Sequence, residues 1–435
     1  MSVKMSMQVD QEAIRHFSES RLEPSWMMEL RLGALEQIDQ LELPQPMKTK
    51  LDKWNHLEMK PFQRWESING VAELPPTVQH LLGTGDQHQP ILIQKDAAVV
   101  YTSIPKELHE QGVIFCSMEQ ALRDYEELVK PYFMTEAIKT SDHRLTAIHG
   151  ALWNEGAFLY VPKNVELQTP IQTVQWLSQN GGGLLPHILV VTEANSRVTL
   201  LNSFVSNDEI QAGIYNGVME IFVGSGSHVQ VGNIQLGGEG ITSDLYAKAI
   251  VERDGKVDWL EGDMNLGNTV RDEISYLKGD GSEAHSRAIA IGLGEQKANY
   301  TTHVYHAGRS TQSDILMKGV LLDKATIAFN GITKIEKGAS KSNGTQKEDV
   351  LMLSKEAHGD ANPILLIDED DVMAGHAAAA GQVDQTQLYY LMSRGLTRTM
   401  AERLIVLGFL APIIGDIPLK GVQELLSSMV ERKIG

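Results

Sequence analysis

Apolar and polar residues alternate in short segments that recur through the middle of the chain, from about Thr146 to about Asp371. Each segment follows a turn of glycine or other small residues, and its alternation predicts a β-strand with one buried face. We take five positions in successive segments as equivalent: Val198, Val229, Val257, Ala284 and Thr311. They are separated by steps of 31, 28, 27 and 27 residues. Steps of this size predict stacked repeats, none of which buries its apolar face alone.

Two architectures fit this pattern. A second strand precedes the turn in each repeat, for example the segment from Leu245 to Glu252. Asp-Gly between alternating strands is typical of an antiparallel hairpin, so Asp254-Gly255 and Asp280-Gly281 taken locally predict a meander or a β-sandwich. Regular spacing over at least five units favours a parallel β-helix instead. The pattern alone puts the β-helix only slightly ahead, and both architectures are mainly β.

The first 140 residues predict a mixed, partly helical region. Pro24 fits the first turn of a helix, and apolar residues then recur every four positions until Pro44 and Pro46 end the pattern. The recurring apolar residues are Trp26, Leu30, Ala34 and Ile38. Ile91 to Ile93 and Val113 to Phe115 predict strands, and Ser117 with Gln120 predicts the capped start of a helix.

The composition changes after about Gly381, where short amphipathic helices are predicted. Asp384 can cap the first helix, which ends at Gly395, and Thr397 can open a second one that reaches Gly408. A third is predicted after Pro418. Such helices either cover the end of the repeat stack or present a face to a partner, and the pattern does not choose between these roles.

Charge and cysteine content narrow the possible partners. The chain of 435 residues has a net charge of −18, which disfavours nucleic acid and anionic membrane surfaces as partners. No segment has the length of a membrane span or the apolar core of a signal peptide, so we expect a cytoplasmic protein. Cys116 is the only cysteine, so it can neither form a disulfide within the chain nor hold a metal cluster by itself.

Motifs for nucleotide and acyl chemistry are absent from the sequence. There is no Walker A loop, no complete dinucleotide fingerprint and no nucleophile elbow, so we expect a chain that does not hydrolyse nucleotides on its own. His303 and His306 are three positions apart, which on a strand places them on opposite faces and disfavours a shared metal. His376 differs because glycine and alanine surround it. A ligand or partner could reach its ring, although a structural hydrogen bond to a nearby carbonyl is the more common role of such a histidine.

The segment around this histidine resembles the SufB/SufD family of iron–sulfur cluster assembly proteins, and within it the SufD branch. The likeness is carried by Ala361 to Val372, Ala374-Gly375-His376, Gly381 to Asp384 and Gln387 to Gly395. Further similar segments are Glu23 to Arg31, Tyr305 to Gly308 and Lys318-Gly319. The resemblance implies a right-handed parallel β-helix with helical regions at both ends. The expected parts are an N-terminal region at 1–140, a β-helix core at 141–375 and an ATPase-docking helical domain at 376–435.

The resemblance also implies partners and a function. It predicts a non-catalytic scaffold subunit that pairs with the SufB paralogue, binds the SufC ABC-type ATPase, and supports iron acquisition and de novo cluster formation. The isolated chain is expected to bind no cofactor, and a transient iron–sulfur cluster would be shared with SufB. The positions expected to contact partners are Asp384, Leu388, Tyr389, Tyr390 and Arg394.

His376 is the candidate iron or cluster ligand that the resemblance implies, at the interface with SufB. SufB-like sequences carry glutamate directly after this histidine, whereas this chain has Ala377. Some SufD-like proteins place a cysteine two residues before it, where this chain has Ala374. Imidazole is therefore the expected ligand of this subunit.

Two rival interpretations belong to other classes of protein. A carbohydrate-active β-helix enzyme would need a groove of carboxylates and aromatic residues along one face. A self-associating protein would pair exposed edge strands into a homodimer, and this state could also occur when SufB is absent.

Overall fold

A two-sheeted parallel β-solenoid of about eight turns forms the centre of the protein. The computed structural model describes residues 9–82, 89–416, 423, 424, 427, 428, 430 and 431. The elements before the solenoid are α1 (Gln11–Ser20), α2 (Ser25–Gln37), a 3-10 turn (Val71–Glu73), α3 (Pro76–Leu81), β1 (Ile91–Lys95), β2 (Ala98–Ser103), α4 (Lys106–Glu110), β3 (Ile114–Ser117), α5 (Met118–Asp124), α6 (Glu126–Val129) and α7 (Arg144–Leu152).

The solenoid strands are long, and most have about ten residues. They are β4 (Glu155–Val161), β5 (Ile171–Leu177), β6 (Gly182–Leu184), β7 (Pro186–Thr192), β8 (Arg197–Ser206), β9 (Gly213–Val223), β10 (His228–Leu236), β11 (Ile241–Val251), β12 (Lys256–Asp263), β13 (Thr269–Leu277), β14 (Glu283–Gly292), β15 (Lys297–His306), β16 (Gln312–Leu321), β17 (Thr326–Ile335), β18 (Asn343–Met352), β19 (His358–Ile367) and β20 (Met373–Gln382). Two helices follow, α8 (Gln385–Ser393) and α9 (Arg398–Asp416).

From β7 onward successive strands alternate between the two sheets, so each turn of the solenoid adds one strand to each, and the short β6 pairs with β9. The first sheet has the order β2-β1-β5-β8-β10-β12-β14-β16-β18-β20, and the second has the order β19-β17-β15-β13-β11-β9-β7-β4-β3. Asp254-Gly255 lies between β11 and β12, which belong to different sheets. The turn therefore carries the chain across the solenoid, and the antiparallel sandwich is wrong.

The strand register confirms most of the predicted repeat and corrects its last step. Val229 pairs with Val198 and Val257, and Val257 pairs with Ala284. Ala284, however, pairs with Ser313 and not with Thr311, so the last step is 29 residues. The reason lies in the turn, where Ser310 takes the left-handed position (φ 56°) that Gly281 takes one rung earlier (φ 72°). Thr311 therefore still belongs to the turn, and the strand begins after it.

Apolar side chains from both sheets fill the interior of the solenoid. The alternating residues Val229, Val231, Val257 and Trp259 all belong to this core, as the pattern predicts. A buried ion cluster interrupts it, in which the Arg271 guanidinium lies 2.8 Å from Glu261 Oε1 and also contacts Glu273. Burial raises the pKa of both glutamates, which favours retention of a proton on one of them, because the single guanidinium compensates only one negative charge.

The N-terminal helices cover the outer face of the second sheet, and a buried ion pair holds them. Arg31 of α2 forms a bidentate ion pair with Glu23 at 2.7–2.8 Å. Its Nη1 donates to the carbonyl oxygens of Ala151 and Trp153 at the end of α7. Pro24 occupies the N-cap position of α2, one residue before the helix, and makes no side-chain hydrogen bond to it. The predicted apolar positions of α2 therefore make up only part of its buried face, because the charged residue Arg31 lies at the centre of that face.

The predicted domain boundaries divide elements that belong to the same sheets. β1 pairs in parallel with β5, and β3 pairs with β4, so the N-terminal region contributes to both sheets. At the other end, the expected boundary between 375 and 376 falls inside β20, which continues to Gln382. The run of alanines there favours a helix by propensity, but its pairing with β18 holds it as a strand. His376 therefore belongs to the solenoid.

Of the three predicted C-terminal helices, two are described by the structure. Asp384 caps α8 by accepting from the Thr386 N–H at 2.8 Å, as predicted. The second helix continues past Gly408, through Pro412, to Asp416. Most of the third predicted helix lies outside the described residues. α9 packs its apolar face on the outer surface of the first sheet, against residues such as Ile289 and Val320.

A buried chain of titratable groups joins α7 to the second sheet. His149 Nε2 lies 3.1 Å from His187 Nδ1, and His187 Nε2 lies 3.1 Å from Glu220 Oε2. Glu220 accepts backbone N–H groups from Met134 and Ile138. Burial raises the pKa of Glu220 to about 8 and lowers the pKa of His187 to about 3.

We expect this carboxyl group to make folding stability depend on pH. The unfolded carboxyl loses its proton near its ordinary pKa of 4.5, whereas the folded one keeps it up to about 8, so stability falls as pH rises between these values. His187 adds an opposing slope that fades above its ordinary pKa of 6.5, and this slope is common to the native chain and to a variant at Glu220. In Glu220→Gln, unfolding free energy measured by denaturant titration between pH 6.5 and 8 should fall less steeply, by up to about 1.4 kcal/mol per pH unit. The exposed Glu209→Gln control should keep the native slope; an unchanged slope in Glu220→Gln would contradict the assignment.

Candidate functional site at the open end of the solenoid

The two ends of the solenoid are built differently. At the first end, the antiparallel strands β2 and β3 complete the two sheets, and the N-terminal helices lie beside them. At the other end, β20 pairs only with β18 and β19 only with β17 among the described strands. The outer edges of β19 and β20 therefore present backbone donors and acceptors to the surroundings, which is a surface suited to strand addition. We call this surface the open end.

Apolar side chains accompany the free backbone groups at the open end. Met373 is 66% exposed, and Leu366 and Ile367 are 46% and 42% exposed. Large apolar residues in these positions are unusual for an edge that faces only water, because they favour association. The open end thus combines unpaired strand edges with apolar contact surface.

His376 lies in the middle of β20 and is exposed. It pairs with Gln346 of β18, and paired residues on neighbouring parallel strands point to the same face. Gln346 is buried between the sheets, where it accepts from Thr333 Oγ1 at 2.9 Å and donates to the Ile364 carbonyl oxygen at 3.3 Å. The imidazole therefore belongs to the inner wall of the solenoid at the point where no further turn covers that wall.

A buried carboxylate lies on the same inner wall, one rung below. Glu348 of β18 is fully buried, and neither of its carboxylate oxygens has a hydrogen-bond partner. Burial raises its pKa to about 7. The sequence analysis missed this residue, because one glutamate in an alternating strand looks the same whether it faces water or the interior.

The helical surface next to the open end divides the predicted contact residues into two groups. Tyr389 and Tyr390 are 73% and 55% exposed, whereas Leu388 is buried and anchors α8. Arg394 covers Tyr390, with its Nη2 donating to the phenol oxygen at 3.1 Å. Asp384 serves as the helix cap. The two tyrosines and the arginine therefore form the exposed surface of α8, while Asp384 and Leu388 hold the helix in place.

Comparisons with known proteins point to one family over most of the chain. Residues 175–409 match the family model described as SUF system FeS cluster assembly, SufBD core domain, and residues 90–173 match the SufBD protein N-terminal region. The chain belongs to the SufBD family. It is 42% identical to the iron–sulfur cluster assembly protein SufD of Bacillus subtilis, with both chains covered in full.

More distant SufBD relatives show the same full-length correspondence. Proteins of Staphylococcus epidermidis and Staphylococcus aureus, both named as iron–sulfur cluster assembly SufBD family proteins, are 27% identical over 421 residues. These matches cover 95% of this chain and 90% of each relative. Among the described residues no helix is long and apolar enough to cross a membrane.

The other candidate ligands of this SufBD chain have partners within the protein. His306 is buried and lies 2.7 Å from Thr311 Oγ1 and 2.8 Å from Ser313 Oγ. His303 is on the opposite face, as predicted, 3.2 Å from Asp272. Cys116 is buried, and burial raises the pKa of its thiol to about 12, so it is not a thiolate near neutral pH. Among the residues that the structure describes, no group of three or more histidine, cysteine, aspartate or glutamate side chains is placed to hold a metal ion.

A lysine connects the C-terminal helices of this SufBD chain to the strands of the open end. Lys318 of β16 donates from Nζ to the Phe409 carbonyl oxygen of α9 at 2.7 Å and lies over the Phe409 ring. Pro412 interrupts the hydrogen-bond ladder of α9 nearby. Lys318 also pairs across the strand with Asp349 of β18, whose next partner is Ala379 of β20. The lysine thereby links helix α9 to the last strands of the solenoid.

We expect Lys318→Met to loosen α9 without unfolding the solenoid, because methionine keeps the aliphatic stem and loses the donor. A hydrogen bond from a charged donor contributes about 1.5–3 kcal/mol. Amide hydrogen exchange within residues 398–416 should therefore become roughly ten- to a hundredfold faster, with little change in global stability. The control is Lys324→Met, whose side chain is 60% exposed. Equal exchange rates in the two variants would show that Lys318 does not anchor the helix.

Proposed function

We propose that this chain is a non-catalytic scaffold subunit of iron–sulfur cluster assembly that pairs with the SufB paralogue and binds the SufC ATPase. The observation that carries the proposal is the open end, where His376 lies between unpaired strand edges and an exposed helical surface. Family membership favours this role over that of a carbohydrate-active enzyme. No Walker A loop is present in the sequence, so nucleotide hydrolysis belongs to a partner.

Pairing with the paralogue would use the outer edges of β19 and β20. A strand from a related solenoid can satisfy these backbone groups in the same way that β17 and β18 satisfy the inner edges. Leu366, Ile367 and Met373 would be buried in that contact. A second copy of this chain offers the same edges, so a homodimer is the expected alternative when SufB is absent.

ATPase binding would use the exposed surface of α8. Tyrosine and arginine are enriched at the centres of protein interfaces, because they combine a large contact area with polar ends. Tyr389, Tyr390 and Arg394 provide this combination. A docked ATPase would lie beside α9, whose attachment through Lys318 reaches the strands of the open end.

His376 would act as an iron or cluster ligand shared with SufB, from which further ligands would come. Among the described residues of the open end it is the exposed imidazole on the inner wall, and neutral imidazole is a good ligand for iron. The cluster is cargo assembled on the complex, so the isolated chain is proposed to keep no resident cofactor.

We expect His376→Ala to fold normally and to lower cluster yield several-fold in the reconstituted complex. The side chain is exposed, so its removal leaves no cavity. Cluster formation should be followed by visible absorption, and folding by circular dichroism and thermal melting. The matched control is His358→Ala, another exposed histidine, on β19. His358→Ala should assemble as much cluster as the native complex. If His376→Ala does so as well, the assigned role of His376 is wrong.

We expect deletion of residues from Asp384 onward to abolish binding of the ATPase. Since the deletion also uncovers the apolar face under α9, the sharper variant is Tyr389→Ser with Tyr390→Ser, which removes surface contacts only. This double variant should lower ATPase affinity at least tenfold in a titration followed by calorimetry.

Leu22→Ser serves as the control, since Leu22 is 76% exposed and lies in the N-terminal region. It should bind the ATPase as the native chain does. Recovery of the ATPase by the truncated chain, or native affinity of the double tyrosine variant, would place the docking surface elsewhere.

A further inference from the structure

Glu348 is a buried charge-bearing group for which the fold provides no partner. The residue is fully buried, and both carboxylate oxygens lack a hydrogen bond. Other buried glutamates here do have partners: Glu220 accepts two backbone N–H groups, and Glu261 contacts Arg271. Burying a carboxyl group without a partner costs several kcal/mol. In a native protein such a group commonly indicates an ion or water that belongs to the site.

The register of the last strands places this carboxylate next to His376. His376 pairs with Gln346, and Glu348 is two residues further along the same strand, on the same inner wall. With strands about 4.8 Å apart and a rise of about 3.3 Å per residue, the two Cα atoms are separated by about 8 Å. A glutamate and a histidine at that distance can both reach one ion that lies between them, since each ligand bond is about 2.0–2.2 Å long.

Small residues flank the carboxylate. Gly331 of the facing sheet lies against it, and a Cβ atom at that position would overlap Glu348 Oε1. On the side of the open end, Glu348 pairs with Ala378, which adds only a methyl group. Gln346 is fixed by Thr333 and Ile364 and so does not turn to pair with Glu348. The carboxylate is therefore held close to the open end with little protein between.

We propose that Glu348 and His376 together form a binding site for a divalent transition-metal cation just inside the open end. Imidazole with carboxylate is a ligand set suited to Fe²⁺, Co²⁺, Mn²⁺ and Zn²⁺. Two protein ligands leave coordination positions for water or for a partner chain seated on the open end. The inference rests on the proposed function for one point only, namely that the cation carried is Fe²⁺.

The test is a titration of the isolated full-length chain with Co²⁺, followed by its visible absorption and by calorimetry. The native chain should bind one Co²⁺, and saturating Co²⁺ should raise its melting temperature. Glu348→Gln and His376→Ala should each weaken Co²⁺ binding at least tenfold. Gly331→Ala should also weaken binding, because its methyl group displaces the carboxylate; it serves as a second variant that retains both ligands.

The matched control is Asp349→Asn, which changes the neighbouring carboxylate on the opposite face of the same strand. Asp349 already pairs with Lys347 at 3.2 Å, so this variant should bind Co²⁺ as the native chain does. Native affinity in Glu348→Gln, or no Co²⁺ binding by the native chain, would overturn the inference. Neither SufB nor the ATPase is present in this experiment. A failure of the proposed scaffold function would therefore appear in cluster yield and not in Co²⁺ affinity.

Discussion

Backbone hydrogen bonding between parallel rungs is the constraint on which this structure depends. Each strand satisfies its donors and acceptors by pairing with the strands before and after it, so a stack of rungs must be completed at both ends or leave them unsatisfied. Here the first end finishes in the antiparallel strands β2 and β3, beside which the N-terminal helices lie, whereas the other end stops at the parallel strands β19 and β20, whose outer edges pair with no described strand. The outer edges of two ten-residue strands, left unpaired beside exposed apolar side chains, form a surface suited to strand addition.

Buried polar side chains of the interior also depend on partners within the protein. Arg271 lies between Glu261 and Glu273, and the chain from His149 through His187 to Glu220 is fully enclosed. These groups are stable because their partners belong to the same fold. Glu348 differs, since it lies one rung below the open end and lacks a partner. Its environment is thus incomplete at the same place where the backbone ladder is incomplete.

The C-terminal helices are joined to this end by packing and by one buried donor. α9 covers the outer face of the first sheet with apolar residues, and Lys318 bonds to its backbone near Pro412. α8 is held by its Asp384 cap and the buried Leu388, which leaves both tyrosines outside. α8 packs on α9, and Lys318 joins α9 to β16, which pairs with β18 and through it with β20. The exposed surface of α8 is therefore connected to the last strands through a few contacts.

Local pattern alone determined the alternating strands of the core and two helix caps of this protein. The alternation around Val229 and Val257, the Ser117 and Asp384 caps, and the opposite faces of His303 and His306 all follow from residue spacing, because each depends on neighbours a few positions away. The family resemblance added the parallel architecture and drew attention to His376. Only the tertiary structure decided that Asp254-Gly255 crosses between sheets, that the alanine-rich segment is a strand, and that Glu348 faces inward without a partner. These features arise from pairing between residues about 30 positions apart in sequence, and no local pattern specifies the register of that pairing.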